Sequence, residues 1–177
     1  MYLISAYFDE KSGKMISEYI ERIAEKTGNT FMTKNQVPPH LTISSLEARG
    51  EDVLLPHFEG LQMKAEISVF FATVGMFFPY VIYLAPVLNE QLLNLSKWIY
   101  KSFCEIPDVQ ISRFYKPFQW FPHVTLGKTL SQEEMRIAFE VMQNSFVPFE
   151  GRIVSLGLAK VNPHEDLCMI VPGRQGS

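Results

Sequence analysis

Pro39-His40-Leu41-Thr42-Ile43 and Pro122-His123-Val124-Thr125-Leu126 are one phrase written twice, nearly half a chain apart in a protein of 177 residues. The chain has four histidines, and two of them stand in this setting. Side chains in a strand alternate faces, so residues i and i+2 share one. His40 and Thr42 therefore point one way, while Leu41 and Ile43 point the other way into a core. His123 and Thr125 repeat the arrangement against Val124 and Leu126. A single His-x-Thr is an ordinary half-buried strand. Two copies behind the same proline predict two half-sites that face each other.

The flanking sequence repeats an order of elements. Residues 2–8 read as a buried strand. From Lys11 to Lys26 the apolar residues Met15, Ile16, Tyr19, Ile20, Ile23 and Ala24 form a helical stripe, with Gly28 placed to cap it. Pro38-Pro39 enforces an extended approach to a strand over His40 to Leu46. Glu51 to Leu61 reads as a short helix interrupted by Pro56. Runs at 65–77 and 80–87 suggest a hairpin about Pro79, and Leu88 to Phe103 another helix. The second half has an irregular stretch at 105–119, then a strand from Phe121 to Leu126. Ser131 and Glu134 form a capping box for a helix reaching Asn144. Strands at 149–160 and 167–172 follow, joined by a turn at Asn162 to Asp166.

Each half thus reads helix, His-x-Thr strand, helix, strand, strand. The expectation is an α+β fold built as a bilobal duplicated unit. Two mainly antiparallel sheets flank a central cleft, with helices outside. The lobes are expected near 2–87 and 88–172, with a short tail at 173–177.

Hydrophobic residues make up 47% of the chain and charged residues 20%, with a net charge of −3. That supports one domain with a shared core. It argues against a broad electrostatic grip on long nucleic acid, which needs many basic contacts to phosphate. A pocket for one nucleotide or an RNA end remains compatible. Cys104 and Cys168 are isolated in sequence and read as buried free thiols in a reducing compartment. The apolar start from Met1 to Phe8 meets Asp9 at once and lacks the basic region of a signal peptide. The expectation is a cytoplasmic monomer with no membrane span.

Two imidazoles and two hydroxyls in one cleft have a definite competence. Histidine titrates near neutrality, so one ring can be neutral while the other is charged. Placed on opposite sides of a phosphorus, they can serve as general base and general acid in an in-line displacement. Threonine hydroxyls can donate to the non-bridging oxygens, where charge develops. This scheme needs no metal and no cofactor. A zinc site would want three or four protein ligands, and no further His, Cys, Asp or Glu completes such a set beside either motif. His57 and His164 lack the motif and read as surface residues.

The paired motifs resemble those of the two-histidine phosphoesterase superfamily, which includes 2'-5' RNA ligases and RNA 2',3'-cyclic phosphodiesterases. The resemblance runs from about residue 2 to 172. It implies a metal-independent phosphoesterase that opens a 2',3'-cyclic phosphate to a 2'-phosphate, or handles a 2'-5' linkage. It implies that His40 protonates the leaving O3', that His123 activates water, and that Thr42 and Thr125 hold the phosphate. The residues alone leave that polarity open. Some relatives carry a basic residue after the motif. Here Lys128 follows the second motif, whereas Ser44 and Ser45 follow the first.

The stretch from Arg113 to Trp120 alternates basic and aromatic residues, a mix that holds a phosphate and stacks a base. Arg113, Lys116, Phe118 and Trp120 are therefore candidate substrate contacts, with core packing of Phe118 and Trp120 as the other reading. Lys34 is a candidate for the opposite rim. Phe77, Phe78 and Tyr80 either pack a hairpin or line the cleft. The leading partner is a nucleotide or an RNA 3' end bearing a cyclic phosphate. A non-catalytic nucleotide-binding module, and a phosphoesterase for a non-RNA cyclic phosphate such as ADP-ribose cyclic phosphate, are the competing readings.

Overall fold

The computed structural model describes residues 1–34, 37–161 and 165–173. The order begins with strand β1 (Tyr2–Phe8), helix α1 (Glu10–Thr27), the short helix α2 (Phe31–Lys34) and strand β2 (His40–Glu47). Helix α3 (Leu55–Glu59), the hairpin strands β3 (Ile67–Phe77) and β4 (Val81–Pro86), and helix α4 (Glu90–Phe103) follow. Then come strand β5 (Gln110–Ile111), strand β6 (Val124–Gly127), helix α5 (Gln132–Ser145), and strands β7 (Phe149–Lys160) and β8 (Glu165–Ile170).

The helices form where the stripes predict. Helix α1 buries Ile16, Tyr19, Ile20, Ile23 and Ala24, and Gly28 closes it at φ 75°, its N–H bonded to the Ala24 carbonyl. Ser131 and Glu134 make both bonds of the capping box that starts α5. The expected helix over 51–61 is instead a 3-10 turn at Glu51–Val53 followed by α3. Proline lacks an N–H and is tolerated only in a first helical turn, so Pro56 marks the start of α3. The irregular 105–119 stretch contains β5 and a 3-10 turn at Arg113–Tyr115. The expected turn at 162–166 lies partly outside the described residues, as do His164 and all of the tail but Gly173.

The fold is α+β, and its strands form one antiparallel sheet in the order β5-β2-β1-β7-β3-β4-β6, with β8 beside β7. The two expected sheets are two wings of this sheet. The 12-residue β7 belongs to both. Its later part pairs with β1 on one edge, from Ile153 to Lys160, and with β8 on the other. Its first part, Phe149 to Ile153, pairs with β3. One wing is therefore β5-β2-β1-β7-β8 and the other β7-β3-β4-β6. Each wing draws strands from both halves of the chain, so a boundary near residue 87 does not separate them.

The motif strands alternate as predicted. Leu41 (0% exposed), Ile43 (1%), Val124 (1%) and Leu126 (0%) lie in the core, while His40, Thr42, His123 and Thr125 are half-buried. Cys104 and Cys168 are free thiols, as expected, but neither is buried: Cys104 is exposed and Cys168 half-buried. Cys104 caps the end of α4, past its buried stripe, and Cys168 stands on β8, which has no fully buried position.

This alternation sets a stability contrast. Leu41→Ala and Leu126→Ala are expected to cost about 2–5 kcal/mol each. Thr42→Ala and Thr125→Ala, on the open face, are expected to stay within about 0.5 kcal/mol. Urea unfolding of the four variants decides it; equal losses on both faces would contradict the strand reading.

Candidate functional site

The two motifs arrive from different wings but end beside each other. Strands β2 and β6 pack together without pairing. The segment between β5 and β6 runs along β2 before it enters the second motif. Gln110 and Ile111 pair with Glu47 and Leu46, and the Ser112 N–H donates to the Ser45 carbonyl at 3.0 Å. The Trp120 indole N–H donates to the Thr42 carbonyl at 2.9 Å.

Both histidines are clamped alike. His40 Nδ1 lies 2.9 Å from the Pro38 carbonyl, and His123 Nδ1 lies 2.9 Å from the Phe121 carbonyl. A carbonyl oxygen only accepts, so each Nδ1 carries the hydrogen. Nε2 is then the nitrogen at which each ring gains or loses its exchangeable proton. The proline before each motif fixes an extended approach, and that brings the carbonyl two residues back under the ring. The clamp is local geometry, repeated because the local sequence is repeated.

The surroundings of the two rings differ. His123 sits in an aromatic wall: the Phe77 ring meets it edge-on at 4.8 Å, Tyr83 at 5.7 Å, and Phe121 stacks at 6.3 Å. Burial in this wall lowers the His123 pKa below its ordinary value, and the bond to the Phe121 carbonyl only partly offsets it. Desolvation penalises the charged ring, so His123 favours the neutral form. His40 has the Tyr7 ring at 6.2 Å.

Tyr7 and Tyr83 are matching features that residue spacing alone does not expose. Tyr7 is paired across β1 with His40, and Tyr83 is paired across β4 with Thr125. Each rests on a glycine of the next strand. A Cβ at Gly157 would stand 2.7 Å from Tyr7 Cε2, and one at Gly75 would stand 2.5 Å from Tyr83 Oη. Close approach of the rings thus requires glycine at both places. The one available signal was a tyrosine in a strand of each half, Tyr83 alone in β4 but Tyr7 alongside Tyr2 in β1. Burial, and secondarily the Asp166 carboxylate beside it, push the Tyr7 phenol up to about 12, so it stays neutral.

The other candidates divide. Trp120 is only 6% exposed and belongs to the central core, so its reading as a substrate contact is corrected to the packing alternative. Phe118 takes the opposite course: it is 78% exposed, not plugged into the core, and Lys97 lies over its ring at 4.9 Å. Arg113 lies over the Phe114 ring at 4.9 Å, and Lys116 is exposed. Lys128 is exposed and reaches over the Phe31 ring of α2 at 5.8 Å. Phe77 walls His123, while Phe78 and Tyr80 stand 85% and 60% exposed at the hairpin tip. His57 is on the surface of α3, and Lys34 is exposed at the end of α2.

Among the described residues no group of three or more His, Cys, Asp or Glu is placed to hold a metal ion. No helix among them is long and apolar enough to cross a membrane. Two cavities, of about 580 and 530 Å³, lie between α4 and the 56–67 segment and include neither motif.

The fold has counterparts among solved structures. TT0787 of Thermus thermophilus matches with a TM-score of 0.64 at 16% identity, covering 99% of this chain and 98% of that one. The LigT protein of E. coli complexed with 3'-AMP matches with a TM-score of 0.61 at 14% identity, covering 98% of each chain. LigT complexed with ATP matches at 0.54 and 13% identity, covering 98% of this chain and 97% of that one. No curated protein sequence matches the chain. The family model described as the 2'-5' RNA ligase superfamily matches residues 14–165, which takes in both His-x-Thr motifs and most of every wing. With the paired motifs, the fold and that match in agreement, the chain belongs to the 2'-5' RNA ligase superfamily, the two-histidine phosphoesterases.

Proposed function

We propose that this protein is a metal-independent phosphodiesterase that opens a 2',3'-cyclic phosphate, on a nucleotide or an RNA 3' end, to a 2'-phosphate. The observation that carries the reading is the matched pair of histidines. Each is held by the same clamp at the head of a His-x-Thr strand, and the two strands abut. The nucleotides in the LigT complexes, 3'-AMP and ATP, support a nucleotide as the ligand class.

In this reading the rings divide the work by environment. His123, held neutral by burial, takes a proton from water at Nε2. The water oxygen attacks phosphorus, and the P–O3' bond breaks in line with it. His40, protonated at Nε2, gives its proton to the departing O3'. The water is consumed, and the product is a 2'-phosphomonoester with a free 3'-hydroxyl. Thr42 and Thr125 donate their hydroxyls to the non-bridging oxygens as charge develops there. In the same reading Lys128 adds positive charge for the phosphate, and Arg113, Lys116 and Phe118 meet a longer strand. A monomer in a reducing cytoplasm fits the two free thiols.

Three outcomes test it. A 2',3'-cyclic mononucleotide is expected to be hydrolysed in EDTA, with the 2'-phosphate identified by phosphorus NMR. His40→Ala and His123→Ala are each expected to lower kcat/KM by about 10² to 10⁴. Turnover that survives either substitution defeats the mechanism. Binding without any product favours the non-catalytic module.

The pH dependence has a defined sign. The folded His123 pKa lies below 6.5, so the acid limb of kcat/KM is expected below pH 6.5. Between its folded and unfolded values the unfolded chain takes the proton first, so stability falls as pH drops through that window. An NMR titration of the His123 ring with a midpoint above 6.5 would overturn the assignment of His123 as base.

A further inference from the structure

We propose that Trp120 is a positioning residue: its indole N–H ties the second motif to the first and sets the separation of the two half-sites. The inference uses the phosphodiesterase reading only for its kinetic consequence.

The outer edge of β2 is covered in part. Strand β5 pairs with Leu46 and Glu47, and Ser112 donates to the Ser45 carbonyl at 3.0 Å. Among the described residues no strand covers Thr42 on the side away from β1. There the Trp120 indole donates at 2.9 Å to the Thr42 carbonyl. A side chain thus stands where a ladder partner is missing, and a partly buried carbonyl is satisfied by it.

The bond joins two places that matter. Thr42 is the proposed phosphate threonine, so any displacement of its backbone moves its hydroxyl. Trp120 is three residues before His123, and Phe121, between them, supplies the carbonyl that clamps the His123 ring. The turn leading in is built for this placement. The Trp120 N–H donates to the Lys116 carbonyl at 2.9 Å, and Phe118 holds φ at 67°, a left-handed conformation that bulky residues rarely adopt. Val37, at the matching place before His40, has no side-chain donor. The strut is therefore one-sided. A buried indole N–H needs an acceptor, and the acceptor here is the backbone of the other motif.

Trp120→Phe keeps a buried ring and deletes the donor. Hydrogen exchange of the backbone amides is expected to rise at 40–45 and 120–126 together, by about fivefold or more, while α5 stays at wild-type protection. On a 2',3'-cyclic mononucleotide, kcat is expected to fall about tenfold with KM within about twofold, because a misplaced group costs the transition state more than the ground state. Unchanged exchange at either motif, a uniform rise across the chain, or an unchanged kcat overturns the proposal. If the wild-type protein does not turn over the cyclic nucleotide, the phosphodiesterase reading fails, and exchange alone decides the strut. If Trp120→Phe does not fold, the wild-type indole N–H signals decide. The Trp120 signal is expected to be protected from exchange and to move on titration with inorganic phosphate. The Trp98 signal serves as reference, and a Trp120 signal that exchanges freely or does not move overturns the proposal.

Discussion

A twelve-residue strand with two edges can serve two ladders, and β7 does so. Its later part takes β1 and β8, and its first part takes β3. Hydrogen bonding along one continuous backbone therefore fixes the two wings relative to each other. Among the described residues no other strand pairing joins the wing carrying His40 to the wing carrying His123. Ladder bonds are directional and spaced by the backbone repeat, so they transmit register. The position of β2 beside β1, and of β6 beside β4, then follows from pairings counted outward from β7.

That frame is nearly symmetric, and the departures from symmetry lie in what surrounds the two motifs. Both histidines use the same carbonyl clamp, and each half has a tyrosine resting on a glycine. Phe77, Tyr83 and Phe121 crowd the His123 ring, and Tyr7 is a ring neighbour of His40. A pair of identical groups with identical pKa values would make a poor acid–base couple, since each would be half in the wrong state. Desolvation of one ring, as at His123, is a simple way to separate them. The wall around His123 thus sets the ring's charge preference as well as its packing.

The connection between the motifs is the second structural element of consequence. From Gln110 to Phe121 the chain is held along β2 by a short strand pair, one backbone bond and one indole bond. The last of these explains why Trp120, an attractive candidate for stacking a base on composition alone, is in the core. Phe118, two residues earlier, faces solvent. A stretch of alternating aromatic and basic residues supplies both fates, and the turn between them decides which residue receives which.

Much of this protein was determined locally. The His-x-Thr strands, the stripe of α1 with its Gly28 cap, and the Ser131–Glu134 capping box all rest on interactions within a few residues. Periodicity and cap chemistry are written in the order of residues itself. The opposition of Leu41 and Ile43 to His40 and Thr42 needed only the two-residue repeat of a strand. What the tertiary structure alone decided is which strands became neighbours. The wings interleave the halves of the chain, Tyr7 and Tyr83 come to stand beside the motifs, His123 loses water among Phe77, Tyr83 and Phe121, and Trp120 finds the Thr42 carbonyl 78 residues away in sequence. Each of these depends on pairing between distant segments, and the free energy that selects such pairings is shared over the whole core, so no local pattern records it.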